Sequence, residues 1–350
     1  MPEGRPSAAD QAALLAAIRG GSKSFHAASL LMPRRCRLPA YALYAFCRLA
    51  DDAVDDTDEK VAALAGLRRR LDAAYAGRPA DNPADRAFAG MVRDYAMPRA
   101  LPEALIEGLA WDAEARRYAD LSELRAYGAR VAGAVGAMMT VIMGVRDATV
   151  LARACDLGVA MQLTNIARDV GEDARAGRLF LPLDWMAEAG IDPEAFIAAP
   201  RFTPALGAIV ARLLDEAETL YDRAAWGIRF LPPGVRPAIR AARLLYREIG
   251  REVARHGLDS VSRRAIVDTP TKRRLLAQAV LDPRCPNSGR DAPPLPETAY
   301  LVEAVVTAPH PRGFVRPTIG DHIGRLAEIM MDAQARERVP PFDTARIAGE

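Results

Sequence analysis

"YALYAFCRLADDAVDDTDEK", residues 41–60, runs from an apolar helical pattern straight into Asp51, Asp52, Asp55 and Asp56. Residues three and four apart share a helix face, so Tyr44, Arg48, Asp51 or Asp52, and Asp55 fall on one stripe. Like charges at that spacing repel, and these sit near the C-terminal end of the run, where the helix macrodipole disfavours anions. Taken alone, the cluster reads as the solvated end of a helix.

A second cluster weighs against that reading. "AMQLTNIARDVGED", residues 160–173, sets Gln162, Asn165, Arg168, Asp169, Glu172 and Asp173 inside another apolar helix. Asn165, Asp169 and Asp173 are spaced i, i+4, i+8 and project from one face. A polar stripe in an apolar helix is costly unless something pairs with it. Two such helices suggest a metal cluster. Oxygen donors without histidine or thiolate favour Mg²⁺, with Mn²⁺ as a substitute, over Zn²⁺. Mg²⁺ is commonly shared with substrate phosphates, which gives Arg48 and Arg168 two readings: bidentate phosphate ligands, or salt-bridge partners of the aspartates beside them.

The 350-residue chain is half hydrophobic, enough for a substantial core. Its net charge of +2 is spread over interspersed acids and bases, which argues against a nucleic-acid partner. Cys36, Cys47, Cys155 and Cys285 show no metal-type spacing and fit reduced thiols. The N-terminal residues do not read as a secretory signal, so a cytoplasmic location is expected. The longest uncharged stretch, Val131 to Val145, is 15 residues, against about 20 for a bilayer span. It reads as a buried helix that either lines a tunnel or makes a close helix contact through Gly133 and Gly136.

Apolar residues recur at three and four positions along most of the chain, which predicts an all-α fold. Ser7 and Asp10 form a capping box opening a helix that stops at Gly20 and Gly21. Further helices are expected at 24–31, 38–53, 58–76, 83–95, 102–117, 121–145, 148–173, 203–229 and 234–255, closing into a single helical bundle with a central cavity over residues 1–281. Residues 282–297 are Pro/Gly-rich and linker-like. A tail, 298–350, follows, with one amphipathic helix expected at 320–339. Nothing in the sequence sets an oligomeric state.

Four motifs in order, "GSKSFHAASLLMP" (21–33), "ALYAFCRLADDAVDD" (42–56), "RVAGAVGAMM" (130–139) and "MQLTNIARDVGEDARAGRLFLPLDWM" (161–186), resemble the squalene and phytoene synthase family, most closely its bacterial phytoene synthases. The resemblance runs from about Gly21 to Val280. It implies an all-α isoprenoid-synthase bundle whose two Asp-rich helices bind diphosphate through Mg²⁺. It further implies that Asp51 and Asp55, Asp169 and Asp173 are the catalytic aspartates and, with Asn165, the metal ligands. Ser22, Tyr44, Arg48, Gln162, Asn165 and Arg168 resemble diphosphate-binding residues, and Tyr246 a tyrosine near the diphosphates. Phe180 departs from the pattern, standing where many relatives carry tyrosine.

The implied reaction joins two geranylgeranyl diphosphates head to head through prephytoene diphosphate to give phytoene, in carotenoid biosynthesis. No NADPH is expected, because the final cation loses a proton and because no strand and glycine-rich turn for a dinucleotide is present. Peripheral contact with the inner face of the membrane is expected of an enzyme releasing a C40 hydrocarbon. Three other readings stay open: a squalene or dehydrosqualene synthase using C15 substrates, a head-to-tail elongase, and a non-catalytic relative acting as an assembly protein. "DVGED" lacks the paired leading aspartates of an elongase, and the presence of both acidic pairs speaks against the last.

Overall fold

The structure, a computed structural model, describes residues 7–21, 26, 28–55, 60–281, 289 and 291–309, with the backbone alone at 21 and 49–55. Among these residues every regular element is a helix. The chain order is α1 (Ala8–Gly21), α2 (Arg34–Asp55), α3 (Lys60–Tyr75), α4 (Pro83–Tyr95), α5 (Ala100–Ala113) and α6 (Leu121–Gly128). A π-helical turn (Ala129–Gly133) leads into α7 (Ala134–Ile142), then α8 (Ala148–Arg175), α9 (Leu183–Glu188) and α10 (Pro193–Ala198). The last are α11 (Pro204–Ile228), α12 (Arg236–Arg255), α13 (Thr269–Leu281) and α14 (Ala299–Val306).

Short polar side chains start these helices where the backbone N–H groups would otherwise lack partners. Ser7 and Asp10 exchange the two bonds of the capping box, with Asp10 N–H donating to Ser7 Oγ at 3.0 Å. Asp120 accepts from Glu123 N–H at 2.9 Å, Asp147 from Val150 N–H at 3.0 Å and Thr203 from Leu206 N–H at 3.1 Å.

The 28-residue α8 is the axis of the molecule. Its first half, through Leu151, Ala152 and Cys155, belongs to one buried cluster with α2 to α5 and α7. Its second half, through Val159, Leu163 and Val170, belongs to another with α11 and α12. Truncating a fully buried leucine such as Leu163 to alanine removes transfer energy and leaves a void, about 2–5 kcal/mol. The crossing of α7 and α8 is closer than side chains allow. A Cβ on Gly158 would stand 2.3 Å from the Ala132 carbonyl oxygen, and one on Gly136 would stand 2.4 Å from that of Ala154.

Several elements were invisible to periodicity. α9, α10, α13 and α14 are short or carry mixed polarity, and the expected helix at 121–145 is interrupted by the π turn. Residues 282–297, expected as linker, return to the bundle at Gly289 and Pro293, and α14 packs on α5, α7 and α8. Of the helix expected at 24–31, residues 26, 28 and 29 are helical and 30 and 31 form a turn, while 24, 25 and 27 lie outside the described residues, as does the helix expected at 320–339. Among the described residues no helix is long and apolar enough to cross a membrane.

Candidate active site

A chamber of about 780 Å³ opens at the C-terminal end of α8. On α8 its wall carries Gln162, Asn165, Arg168, Asp169 and Asp173, all of the polar cluster read from the sequence except Glu172. From α2 it takes Tyr44, Cys47 and Arg48, and from α12 Tyr246. Asp51 and Asp55 continue α2 beyond Arg48, but their side chains lie outside the described residues, as does Ser22 altogether. Among the described residues no three acidic, histidine or cysteine side chains converge on a common metal position.

Of the two readings for Arg168, the salt bridge is the one the structure contains: its Nε donates to Asp169 Oδ1 at 2.7 Å. Asp169 also receives Arg264, whose Nε reaches Oδ1 at 2.9 Å and whose Nη2 reaches Oδ2 at 3.2 Å. Arg264 was not legible as a site residue, because it lies 95 positions away in a loop. What seats it is Gly171. The loop carbonyl of Ser260 accepts the Gly171 N–H at 3.0 Å, and a Cβ on Gly171 would stand 2.5 Å from the Val261 carbonyl oxygen. Arg175 donates to that same carbonyl at 3.2 Å. The glycine inside "DVGED" therefore lets the loop lie on the helix and aim an arginine at Asp169.

Asp173 pairs with Arg178 at 3.3 Å. Burial pushes its carboxyl up to about 6, with Arg178 pulling the other way and the charges of Asp169 and Glu172 adding to the rise. Asn165, Asp169 and Asp173 share one face of α8 and offer oxygen donors of the kind a hard divalent cation takes. Lys272, at the start of α13, adds another cation to the wall. Arg264 and Lys272 both belong to the basic run "SRRAIVDTPTKRR", residues 262–274.

Phe180 lines the chamber within an aromatic cluster. Its ring stacks on Tyr127 at 5.2 Å and on Tyr118 at 6.1 Å between centroids. Of the two hydroxyls in this cluster, that of Tyr127 donates to Asp112 Oδ2 at 2.9 Å. Burial, with Asp112 beside it, raises Tyr127 well above the usual phenol range. Burial also pushes Tyr246 up to about 12 against the pull of Arg168, so at neutral pH it is a protonated phenol.

Behind the chamber lies an apolar tunnel of about 330 Å³. Tyr44, Cys47, Val131, Val135, Gln162, Asn165 and Tyr246 border both spaces. The π turn and α7 line the tunnel through Val131, Ala132, Val135, Gly136 and Met139, so the stretch read as either tunnel wall or close contact is both. The contact is made at Gly136 and Gly158; a Cβ on Gly133 would meet Leu301 at an ordinary 3.5 Å.

A charged chamber opening into a hydrocarbon-lined tunnel is the geometry the four motifs imply, and a profile of the squalene/phytoene synthase family matches residues 18–273. The chain belongs to the squalene/phytoene synthase family. It is 56% identical over 295 residues to a phytoene synthase of Rhodobacter capsulatus, covering 82% of this chain and 87% of that one. A phytoene synthase of Cereibacter sphaeroides is 53% identical over 325 residues, covering 88% and 91%. Among solved structures, a dehydrosqualene synthase in complex with a ligand superposes with a TM-score of 0.71 at 31% identity, over 78% of this chain and 95% of that one. A squalene synthase of Alicyclobacillus acidocaldarius gives 0.66 at 27%, over 71% and 94%. These neighbours share the squalene/phytoene synthase bundle, whose helices here set chamber and tunnel side by side across shared walls.

Proposed function

We propose that this chain joins two geranylgeranyl diphosphates head to head, through prephytoene diphosphate, to phytoene, as a step of carotenoid biosynthesis. The observation that carries the reading is that the charged chamber adjoins the apolar tunnel through shared lining residues, because a prenyl diphosphate has that same division. The relatives' name, phytoene synthase, supports it.

In this reading the diphosphate lies among Arg48, Arg168, Arg264 and Lys272, whose charges stabilise the leaving group as the allylic C–O bond breaks. Tyr44, Gln162 and Asn165, at the junction, orient the first carbons of the chain toward the tunnel. Val131, Val135 and Met139 exclude water from the carbocation. A phenol held near 12 is a poor proton acceptor, so Tyr246 serves as a hydrogen-bond donor and the released diphosphate takes the protons lost in forming prephytoene diphosphate and phytoene. Bound Mg²⁺, or Mn²⁺ in its place, would supply further positive charge to the leaving group, and Asn165, Asp169 and Asp173 with Asp51 and Asp55 would hold it. No nicotinamide takes part. Peripheral contact with the inner membrane face accommodates release of the product.

Supplying C15 and C20 diphosphates separately with Mg²⁺, with and without NADPH, tests the assignment. The expected outcome is a C40 product with the ultraviolet absorption of a central conjugated triene, unchanged by NADPH. A product made only with NADPH and lacking that absorption would replace the assignment with a reductive synthase.

A further inference from the structure

The segment from Ser260 to Leu281 leaves apolar side chains in water at the edge of the chamber. Of the six large hydrophobic residues that stand out most among the described ones, three fall here: Ile266 at 72% exposed, Val280 at 51% and Leu281 at 79%. Single exposed apolar residues need no explanation, but three in one short segment do. Ile266 is held outward by its neighbours. Ala265 and Val267, on either side, are buried in the cluster of α8, α11 and α12, so the residue between them faces solvent. The same residue lines the chamber together with Arg264 and Lys272, which places it on the rim.

α13 continues this surface. Leu275 and Ala279 are buried, and Leu276 packs with Ala241 of α12. That leaves Arg273, Arg274, Ala277, Gln278 and Leu281 on the opposite, solvent-facing side. Arg240 of α12 donates to the Ala279 carbonyl at 3.0 Å and fastens the end of the helix that carries Val280 and Leu281. The charges here have one sign. Arg263, Arg264, Lys272, Arg273 and Arg274 are opposed within the segment by Asp268 alone. That carboxylate accepts the Thr271 N–H at 2.7 Å and is spent capping α13. Arg264 and Lys272 turn to the chamber, so the exposed Arg263, Arg273 and Arg274 are what the outer surface offers a partner.

We infer that Ile266 and the outer face of α13 dock the protein on an anionic phospholipid bilayer, with the rim of the chamber against the headgroups. Charge complementarity and the exposed aliphatic side chains commit the surface to this partner. A nucleic acid would meet the arginines and leave Ile266 and Leu281 in water, whereas an apolar protein face would strand the arginines. A bilayer takes both, because its phosphates bind guanidinium and its acyl boundary receives aliphatic side chains a few ångströms below. The inference gives the proposed membrane contact a definite face. It rests on the proposed reaction for its purpose, which is to let prenyl chains and the hydrocarbon product pass between chamber and lipid without crossing open water.

The test is co-sedimentation of the full-length protein with vesicles of phosphatidylglycerol and phosphatidylcholine in equal parts, against vesicles of phosphatidylcholine alone. Binding should be at least about tenfold tighter to the anionic vesicles and should weaken in about 1 M salt, where charges are screened within roughly 3 Å. Each arginine near the surface contributes roughly a factor of five, so the double variant Arg273→Gln/Arg274→Gln should lose about twentyfold. Leu281→Asn, which leaves the charge intact, should lose at least about fivefold. Arg68→Gln/Arg69→Gln, at exposed positions on α3, removes the same charge elsewhere and should change nothing. All the altered side chains are exposed, so the unfolding midpoints should match the wild type. Equal binding to both kinds of vesicle, or binding that the α3 pair weakens as much as the α13 pair, overturns the inference, as does a Leu281→Asn variant that binds like the wild type. Vesicle binding involves no turnover. A protein that docks as expected yet joins no chains keeps the surface and instead overturns the proposed reaction.

Discussion

Two clusters of arginine and aspartate lie on the same helix, α8, about 20 Å apart at its rise per residue, and they are built for opposite purposes. Near the N-terminal end of α8, Asp156 and Arg153 are fully buried, and donors of Arg153 and Arg223 end on the carbonyls of Gly289 and Pro293. At the mouth, Asp169 and Asp173 face an open chamber, and their partners Arg264 and Arg178 are 46% and 40% exposed. The first cluster is closed and its charges serve the fold. In the second, partly exposed cations can exchange a carboxylate for an arriving anion at little cost. The difference teaches that an ion pair's role is set by whether its surroundings close over it or leave it open to solvent.

The largest effect should come from breaking the mouth. Asp169→Asn keeps the shape and removes one charge from the proposed metal set, and turnover at saturating substrate should fall by about a thousandfold, or ~4 kcal/mol of barrier. Chemical unfolding of the variant should match the wild type within about 1 kcal/mol. Near-normal turnover at limiting Mg²⁺ would remove Asp169 from the ligand set.

Breaking the buried cluster should reverse that pattern. Asp156→Ala strands two arginines in a buried site and should cost about 3–5 kcal/mol of stability, read as a lower urea midpoint. A variant as stable as the wild type would mean that the buried cluster is dispensable to the fold.

A smaller effect is expected at the exposed edge of the mouth. Arg264→Gln should raise KM for the prenyl diphosphate about tenfold and leave the unfolding midpoint unchanged, since the arginine is half-exposed. An unaltered KM, with kcat also intact, would confine Arg264 to its ion pair.

The smallest effect sharpens the comparison through pH. Burial holds Asp156 at about 6, against an ordinary 3.8, with Arg153 and Arg223 opposing the rise. Between these values the folded state keeps a proton that the unfolded state has lost, so this group's contribution to stability falls as pH rises from about 4 to about 6 and is level above. Asp156→Asn should lose that slope relative to the wild type in urea titrations across the window. Parallel slopes in the two proteins would show that Asp156 is ionised throughout.

Much of the mouth was legible because helical spacing is a local property. The i, i+4, i+8 placement of Asn165, Asp169 and Asp173 requires one face, whatever the helix packs against, and the chamber wall carries all three. The same spacing put Tyr44 and Arg48 on one stripe, and both reach the chamber. Arg264, Lys272 and the Tyr127–Asp112 pair had no such signal, since their places depend on chain returns that no local pattern encodes.

The sequence by itself determined that the described chain is helical, where helices such as α4, α8 and α11 begin and end, and which residues of α8 share a face, because caps, breakers and periodicity act within a few residues. Only the tertiary structure decided that the apolar half of that stripe is a tunnel and the polar half a chamber. That division needs the π turn, α2, α11 and α12 around α8, and contacts between distant segments are set by packing rather than by local propensity. It also decided that Arg153, which reads in sequence as one more helical arginine, is buried to its tip. Burial of a charge depends on the carbonyls that meet it, and those arrive from a strap more than 130 residues away.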